Sequence, residues 1–347
     1  MKKEFKNILV IRTDRIGDVV LTTPSLKVLR EAYPKARISL LAVEATRALV
    51  ECNPYLDEII YDNRNKKHRG LGGFLKLCAL LKSKKYDLAI VFHTKKRTNL
   101  LCFLAQIPYR IGYKNNKFGF LLTHPIKDTR HQGDKHEVYY CLDLLKHLGV
   151  EYGSFEFNIC VKEESEIWVK EYLANNNVSL NDRLIAIHPG ASDPSRRWPP
   201  YFFAEVINKL MSQHPYKVVI IGATDIEGVA QKITSLTTHP IIDAIGQTNM
   251  SQLISLLKRS QLLISNDSGP VHIAEGVKTP VISIFTRNQP GINPGRWGPL
   301  SNRSRAISVP EDTTISFAKA RDIDPKYLEL IKPQQVLEAV DAIFKLC

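Results

Sequence analysis

The feature that most constrains the fold is an alternation of short apolar runs with segments of helical periodicity. Apolar runs such as 7–11 and 87–92 are typical of strands buried on both faces of a sheet. Between them, segments such as 22–33 carry apolar residues at helical spacing and end at a proline. Strands that alternate with helices predict parallel sheets covered by helices on both sides. The predicted fold class is therefore α/β, with doubly wound sheets.

The alternation occurs twice, which indicates two domains. The 347 residues suffice for two domains of ordinary size. An asparagine-rich stretch near 175–182 interrupts the pattern and marks the predicted boundary. We predict one Rossmann-like domain at 1–170, a second at 171–330, and a last helix within 331–347. In such sheets, ligands bind at the carboxyl ends of the strands.

The formal net charge of +13 favours anionic partners, which include nucleic acid, an anionic membrane surface and a phosphorylated substrate. Binding of single-stranded nucleic acid would require aromatic side chains interleaved with the basic ones. The basic runs 82–85 and 95–97 lack such a platform. No nucleic-acid partner is therefore expected.

The six cysteines are scattered, without a CxxC pair. Reduced thiols are the simplest interpretation, and neither a disulfide framework nor a zinc site is expected. The apolar run after the basic N-terminus is too short for a signal peptide, and no stretch approaches the roughly 18 apolar residues of a membrane span. We expect a cytoplasmic protein, with any membrane contact made through charge.

The stretch Ser265 to His272 combines a strand end with a helix start. Asp267, Ser268 and Gly269 stand where backbone N–H groups point out of a helix N-terminus, which favours phosphate. His272 is expected to orient this loop or to contact phosphate rather than to bind a metal. The alternative is an ordinary N-cap, because Asp and Ser are common there.

Two more loops follow strands in the second half. Ser192 and Arg196 lie in a loop of glycine, hydroxyl and guanidinium groups that suits a diphosphate. The loop lacks the spacing and lysine of a Walker A motif, and its alternative is a basic surface loop. Glu227 follows the next strand and is a candidate ribose ligand or, equally, an acid that favours a helix start.

The loop after the first strand, 12–18, holds the candidate residues of the first half. Asp18 is a candidate general base, and Arg12 and Arg15 are candidates for holding an anionic substrate. Gly17 lets another group approach the backbone closely. The alternative is a helix cap with solvated charges. The loop is not GxGxxG, so a dinucleotide redox site has no support.

Taken in order, four motifs resemble one family over nearly the whole chain: 8–24, 110–113, 188–199 and 266–274. Together they resemble the ADP-heptose:lipopolysaccharide heptosyltransferases of glycosyltransferase family 9. The resemblance implies a GT-B fold, in which two Rossmann-like domains face a central cleft and a terminal helix, here 331–347, packs back toward the N-terminal domain. It also implies transfer of heptose from ADP-heptose to Kdo or heptose of the lipopolysaccharide core, with inversion and without metal or cofactor.

The resemblance also implies roles for individual residues. Asp18 would be the catalytic base, with Arg12, Arg15 and Gly17 at a lipid-linked anionic acceptor. The donor diphosphate would be bound by the following residues: Ser192, Arg196, Asp267, Ser268, Gly269 and His272. Glu227 would contact the ribose. Such an enzyme would work in the cytoplasm, in peripheral contact with the anionic inner face of the inner membrane.

Three positions depart from the family pattern. Arg196 stands where a lysine is usual, Glu275 where small residues are usual, and Thr286 where a glycine often follows the phenylalanine. These departures concern the donor more than the class of reaction. Two alternatives stay open: another nucleotide-sugar transferase of the same fold, and a non-catalytic protein that binds a nucleotide sugar.

Overall fold

The computed structural model describes residues 3–310 and 325–345, and it divides into two units between Cys160 and Val161. The division precedes the boundary predicted at residue 170, because the helix Glu163–Asn175 packs within the second unit. The Tyr172 hydroxyl of that helix donates to the Asp243 carbonyl over 3.0 Å, and Lys258 pairs with Glu166 at 2.8 Å. The asparagine-rich stretch is thus a turn inside the second unit.

The described part of the first unit forms a parallel sheet of six strands. The strands are β1 (Asn7–Ile11), β2 (Arg37–Ala42), β3 (Glu58–Tyr61), β4 (Leu88–Val91), β5 (Tyr109–Lys114) and β6 (His124–Lys127). The helices are α1 (Ile16–Ala32), α2 (Arg47–Val50), α3 (Gly70–Ser83), α4 (Lys96–Leu104) and α5 (Glu137–Lys146). The strand order is β3-β2-β1-β4-β5-β6.

The second unit repeats this architecture. Its strands are β7 (Arg183–His188), β8 (Tyr216–Gly222), β9 (Ile242–Ile245), β10 (Leu262–Asn266), β11 (Val281–Phe285) and β12 (Arg305–Ser308). Its helices are α6 (Glu163–Asn175), α7 (Pro200–Gln213), α8 (Glu227–Leu236), α9 (Met250–Arg259), α10 (Gly269–Gly276), α11 (Pro294–Trp297), α12 (Pro325–Leu328) and α13 (Pro333–Lys345). The strand order is β12-β11-β10-β7-β8-β9, again all parallel.

Both sheets have the strand order of a Rossmann domain, so the predicted α/β class and GT-B architecture of two Rossmann-like units are confirmed. The order reverses between β1 and β4 in the first unit and between β7 and β10 in the second. The loops that follow these four strands therefore meet in pairs at the carboxyl edge of each sheet. That the units face each other across a cleft stays a prediction.

The last helix, α13, belongs to the core of the second unit. Its residues Val336, Val340 and Ile343 are buried in one apolar cluster with Trp198 and Phe203. The indole N–H of Trp198 donates to the Ile331 carbonyl over 2.9 Å just before the helix. The helix predicted within 331–347 is present, and its described contacts include α7, β11 and β12. That it packs back toward the N-terminal domain stays a prediction.

The first helix begins earlier than the sequence indicated. Segment 22–33 was the predicted helix, whereas α1 starts at Ile16 and places Pro24 well inside it. A proline inside a helix leaves the carbonyl four residues earlier without its N–H donor. Here the hydroxyl of Thr23 donates to the Val20 carbonyl over 2.8 Å and satisfies that group. Consequently Gly17 and Asp18 lie in the first helical turn, not in a loop.

The expectation of reduced thiols is wrong for one pair, because Cys52 and Cys160 form a disulfide with a Cα–Cα distance of 5.3 Å. A backbone hydrogen bond also joins the two segments, because the Cys160 N–H donates to the Leu49 carbonyl over 3.0 Å. Sequence spacing could not reveal this, because 108 positions separate the two residues. The remaining described cysteines are buried thiols, and Cys347 lies outside the described residues.

No helix within residues 3–310 and 325–345 is both long and apolar enough to cross a membrane.

Candidate functional site

In the first unit, the chemistry gathers around Arg12, which directly follows β1. Its side chain is only 2% exposed. Its Nε lies 3.0 Å from Asp14 Oδ1, and its Nη2 lies 3.3 Å from Glu137 Oε1 and donates to Asp18 Oδ1. The other terminal nitrogen donates to the Phe92 carbonyl over 3.4 Å at the end of β4. One buried guanidinium thus holds three carboxylates from the β1 loop, α1 and α5.

The electrostatics of this cluster follow from burial. Desolvation raises the pKa of Asp14 to about 6, although Arg12 opposes the shift. Desolvation also lowers the pKa of His93 to about 3, and the positive charges of Arg12 and Lys95 act in the same direction. His93 is therefore neutral at physiological pH, with Nδ1 3.1 Å from the Thr13 hydroxyl.

Asp18 has the geometry of a general base. Its carboxylate lies in the first turn of α1, where the helix dipole favours negative charge. Its side chain keeps 14% exposure, whereas the Arg12 partner is sealed from solvent. The ion pair fixes one carboxylate oxygen, and a fixed, partly exposed carboxylate can accept a proton from a bound hydroxyl.

The predicted acceptor residues lie together at the β1–α1 junction but differ in burial. Arg15 is exposed at the N-cap of α1, and Gly17 is buried in the following turn. Arg12 has its guanidinium committed to protein carboxylates, so its described contacts position Asp18 rather than bind a substrate. The acceptor roles of Arg15 and Gly17 stay predictions.

Further positive charge stands at the same edge. Lys95 follows β4 and Lys117 follows β5, and proximity to the positively charged Lys117 lowers the pKa of Lys95. Arg64 reaches the Thr13 carbonyl over 3.4 Å and adds a third cation. Crowded cations next to a carboxylate are arranged to receive an anionic ligand.

Sequence reasoning missed Glu137, which is 125 positions from Arg12 and 1% exposed. It starts α5, whose Cys141 also contacts Arg12 through its sulfur. A signal was present, because Glu137 stands four and seven residues before Cys141 and Leu144, which places the acid on their buried face of the helix. That signal does not name a partner.

In the second unit, Arg196 is the centre of the pair of loops after β7 and β10. Its Nη1 donates to Asp267 Oδ2 over 3.0 Å, and its Nη2 donates to the Ser192 hydroxyl over 2.5 Å. Three predicted diphosphate residues are therefore together. Since a carboxylate repels phosphate, Asp267 is placed to orient the guanidinium rather than to contact an anion.

Ser268 belongs to a hydroxyl–imidazole triangle below this pair. His188 Nδ1 lies 3.2 Å from the Ser265 hydroxyl and 3.0 Å from that of Ser268, and the two hydroxyls are 3.0 Å apart. Burial lowers the pKa of His188 to about 4, and Arg197 adds to the shift. A neutral imidazole therefore fixes Ser268 as the extended N-cap residue of α10.

Asn266, which received no role from the sequence, ties the two loops together. Its side-chain NH₂ group donates to the Pro189 carbonyl over 2.7 Å, and its side-chain oxygen accepts from the backbone N–H of Trp198 over 3.0 Å. It thus clamps both ends of the loop that carries Arg196. Gly190 permits the clamp, since a Cβ there would lie 3.0 Å from the His188 ring.

The remaining predicted donor residues are at or near this edge. Gly269 is the first residue of α10, and His272 is buried one turn later. Glu227 is exposed at the start of α8, beyond the strand next to β7, and accepts from the Gln231 amide over 3.2 Å. An acid beyond the second strand of a Rossmann domain is in the usual position for a ribose contact.

Two further charged residues, Arg287 and Glu275, hold loops of the second unit through hydrogen bonds. Arg287, which follows β11, donates to Asp193 over 3.0 Å in the loop after β7. Glu275 is buried and accepts from the Ser301 N–H over 3.0 Å and from the Leu300 N–H. Burial raises the pKa of Glu275 to about 7. This departure from the family pattern thus anchors the segment after α11.

Among residues 3–310 and 325–345, no group of three or more histidine, cysteine, aspartate or glutamate side chains is arranged to hold a metal ion.

Comparison with known proteins gives a consistent result. The model of glycosyltransferase family 9 (heptosyltransferase) matches residues 74–327. Lipopolysaccharide heptosyltransferase 2 of Escherichia coli strain K12 is 27% identical over 355 residues, which cover 97% of this chain and 98% of the relative. A glycosyltransferase family 9 structure from Veillonella parvula DSM 2008 is 25% identical with a TM-score of 0.86, covering 100% and 99% of the two chains. The structure of E. coli ADP-heptose lipopolysaccharide heptosyltransferase II shares the fold, at 23% identity, a TM-score of 0.78 and coverage of 97% and 98%.

Proposed function

The chain belongs to glycosyltransferase family 9, the heptosyltransferases, and on this premise we propose that it transfers heptose from ADP-heptose to the lipopolysaccharide inner core. The proposed acceptor is a hydroxyl of Kdo or heptose, and the proposed outcome is inversion at the anomeric carbon. The observation that carries the proposal is the Arg12–Asp18 pair, in which a buried guanidinium fixes a partly exposed carboxylate at the carboxyl edge of a Rossmann sheet.

Asp18 is the proposed general base. A sugar hydroxyl is a weak nucleophile, so its proton must be removed as the new glycosidic bond forms. The Asp18 carboxylate takes that proton, the acceptor oxygen attacks the anomeric carbon, and the bond to the ADP oxygen breaks. Attack opposite the leaving group inverts the anomeric configuration. Arg12 keeps the carboxylate oriented throughout.

The leaving diphosphate is proposed to bind at Arg196. Negative charge grows on ADP as the sugar departs, and preorganised positive groups lower the barrier. The Arg196 guanidinium, the Ser192 hydroxyl and the backbone N–H groups of Ser268 and Gly269 supply such groups. His272 supports the same helix turn. The proposal needs neither a metal ion nor a cofactor, and activity that persists in a chelator would support this part of it.

The donor assignment rests on the second unit and on relatives. Glu227 is proposed to accept hydrogen bonds from the ribose, by analogy with the acid beyond the second strand of dinucleotide-binding domains. A solved structure with this fold is named for ADP-heptose. Another nucleotide sugar is the second candidate, since Arg196 replaces the usual lysine and the two side chains bind phosphate differently.

The acceptor is proposed to be lipid-linked and anionic. Arg15 and the crowded pair of Lys95 and Lys117 lie at the edge that carries Asp18 and suit phosphate or carboxylate groups on an inner-core sugar. Such an acceptor is held in a membrane, so the protein would meet it in peripheral contact with the inner face of the inner membrane. The +13 net charge supports this location.

The decisive experiment combines a base variant with a nucleotide panel. Asp18→Asn preserves the volume and should lower kcat by about 10² to 10⁴-fold, the usual contribution of a general base. Asp341→Asn, which changes an exposed carboxylate on α13 away from the proposed site residues, is the control and should leave kcat unchanged. An Asp18→Asn enzyme with the wild-type rate would remove Asp18 from the chemistry.

The panel measures thermal stabilisation by ADP, ADP-heptose and the corresponding UDP- and GDP-sugars. ADP-heptose should stabilise most, because a ligand raises the melting temperature in proportion to its binding free energy. Greater stabilisation by a UDP- or GDP-sugar would select the second candidate. Arg196→Ala should no longer be stabilised by these ligands, whereas the exposed control Arg183→Ala should be stabilised as the wild type is. That result would support diphosphate binding at Arg196.

A further inference from the structure

The positive charge of this protein is concentrated in one segment. Residues 63–121 contain fourteen lysines and arginines and a single acidic residue, Asp87. That segment alone has a formal charge of +13, as much as the whole chain. This sum already includes Asp87, whose carboxylate accepts from the backbone N–H groups of Lys6 and Asn7 at 2.7 and 3.1 Å. The nearby Asp62 is fully buried against Arg64 and Arg97.

The same segment exposes large apolar side chains. Among the described residues, the two large hydrophobic side chains with the greatest exposure are Phe120 at 75% and Leu71 at 74%. Leu75, Phe103 and Leu104 are also exposed. Exposed apolar side chains grouped on a surface mark an interaction site, whereas single ones need no explanation.

These side chains lie on one layer of the first unit. Helices α3 and α4 contact each other and pack on the same face of the sheet, where Phe74, Leu77 and Leu101 join one apolar cluster. The short 3-10 turn Gly119–Leu121 lies against α4. The outer side of this layer is thus α3, α4 and that turn.

Helix α3 shows that its outer side is not an ordinary solvated surface. Its inner face buries Phe74, Leu77 and Leu81. Its outer face carries Leu71 and Leu75 one turn apart, followed by Lys76 and Lys82, all exposed. A surface helix normally places polar residues opposite its apolar stripe. Here both faces are apolar, and the outer one is bordered by lysines.

Aromatic and basic groups continue this pattern at α4. The Lys96 ammonium lies 5.5 Å from the centre of the Phe118 ring, whose neighbour is the exposed Phe120 at 5.8 Å. The Arg110 guanidinium lies 5.8 Å from the Phe103 ring. Rings and aliphatic side chains with adjacent cations suit the boundary between lipid head groups and acyl chains.

We propose that the outer side of α3, α4 and the turn Gly119–Leu121, here called the apolar–basic face, binds directly to a membrane that contains anionic lipids. Leu71, Leu75 and Phe120 enter the acyl boundary, and the surrounding lysines contact the lipid phosphates. This extends the membrane contact in the proposed function, and the face lies entirely within the first unit.

The test measures binding of the full chain to vesicles by sedimentation. Vesicles of phosphatidylcholine with phosphatidylglycerol should bind the protein, vesicles of phosphatidylcholine alone should bind it at least tenfold more weakly, and salt should weaken the binding. The double variant L71S/F120S should lose about tenfold or more in affinity, because two apolar side chains no longer insert. L180S/L236S, which changes exposed leucines of the second unit, should bind as the wild type does.

A charge variant tests the second half of the proposal. K76E/K82E on α3 should weaken binding to anionic vesicles by about tenfold or more, and K170E/K232E in the second unit should change it far less. Equal binding to both vesicle types, or unchanged binding by L71S/F120S, would overturn the proposal. The proposal would also be overturned if the wild type formed a dimer that L71S/F120S alone dissociates, because the face would then be a self-association interface.

The same vesicles separate this inference from the proposed chemistry, because they contain no sugar acceptor. Vesicle binding by a protein that transfers no heptose when a separate inner-core acceptor is supplied would refute only the proposed function. Transfer to an acceptor without acyl chains, in a protein that ignores anionic vesicles, would refute only the membrane face. L71S/F120S should retain the wild-type stabilisation by ADP.

Discussion

Replacing Arg12 by methionine would test whether one buried cation organises the candidate catalytic carboxylate. Methionine has a similar length and is apolar, but it cannot pair with Asp14, Asp18 or Glu137. Because the guanidinium is 2% exposed and within 3.0 to 3.3 Å of two of these carboxylates, its loss leaves buried negative charge without compensation. Breaking a buried ion pair in this way costs about 3–5 kcal/mol.

The carboxylates can relieve part of this cost by taking up protons. Asp14 already has a pKa of about 6 with Arg12 present, because burial disfavours its charge. Without the cation, protonation within the cluster becomes easier still. The acid limb of the pH profile of kcat should therefore move upward by about one to three pH units, since a nearby opposite charge shifts carboxylate ionisation by that amount.

Two assays measure these effects. Urea unfolding followed by circular dichroism should show a loss of about 3 kcal/mol or more for the first unit. The rate of ADP release from the donor in the presence of acceptor, measured across pH, should show the shifted limb. Arg12→Lys keeps the charge but loses the planar fork, so its stability should lie between those of the wild type and Arg12→Met.

Arg183→Met, at the exposed start of β7, is the control and should behave as the wild type does. If Arg12→Met unfolds within about 1 kcal/mol of the wild type, the ion pairs are not the buried, uncompensated kind invoked here. If its stability falls but the pH profile does not move, Arg12 supports the fold without orienting the base.

Three further predictions concern particular contacts. His188 has a pKa of about 4 in the folded protein, so its contribution to stability is complete above pH 6.5 and is lost as the pH falls toward 4. The loss is about 2–3 kcal/mol at pH 4.5. Thermal unfolding of His188→Gln should therefore depend less on pH in that window than unfolding of the wild type. Asn266→Ala should weaken ADP binding about tenfold or more in calorimetry, because the loop of Arg196 loses both clamps. Asn208→Ala, which also removes side-chain hydrogen bonds to a neighbouring loop, should not. Cys52→Ser should lower the unfolding free energy by about 4 kcal/mol, given the 108-residue separation, and should abolish any effect of dithiothreitol on the melting temperature; equal sensitivity of variant and wild type would contradict the disulfide.

The alternation of strands and helices was sufficient to predict two Rossmann-like units, because central strands are apolar throughout. It was insufficient for the edge strands β6 and β12, which the apolar runs did not indicate. His124 to Lys127 contains a proline and mostly exposed residues, and Arg305 to Ser308 is only half-buried. An edge strand has one partner and one open side, so its composition does not differ clearly from that of a loop.

The sequence was sufficient to locate the candidate site residues but not to predict which of their side chains contact each other. Strand-end positions placed Arg196, Ser192 and Asp267 near one another, and the hydrogen bonds of Arg196 confirm that. The same logic treated Arg12 as a ligand for substrate, because nothing local shows that a residue 125 positions away will neutralise it. Contacts made through tertiary packing, such as Glu137 with Arg12, have no signature at short spacing.

Each unit has an arginine–aspartate pair at the carboxyl edge of its sheet, and solvent exposure and charge together decide which member can meet a ligand. In the first unit, arginine is 2% exposed and Asp18 is 14% exposed, so only the carboxylate can receive a proton from a bound hydroxyl. In the second unit, Arg196 and Asp267 are both partly exposed, at 17% and 14%, so charge makes the selection: the guanidinium attracts an anion, whereas the carboxylate repels it and orients the guanidinium. A carboxylate oriented by a buried cation and a cation oriented by a carboxylate are the two groups that base-assisted transfer from a diphosphate donor requires. Strand-end position predicts where such pairs lie, and burial together with charge determines which group of each pair can meet a ligand.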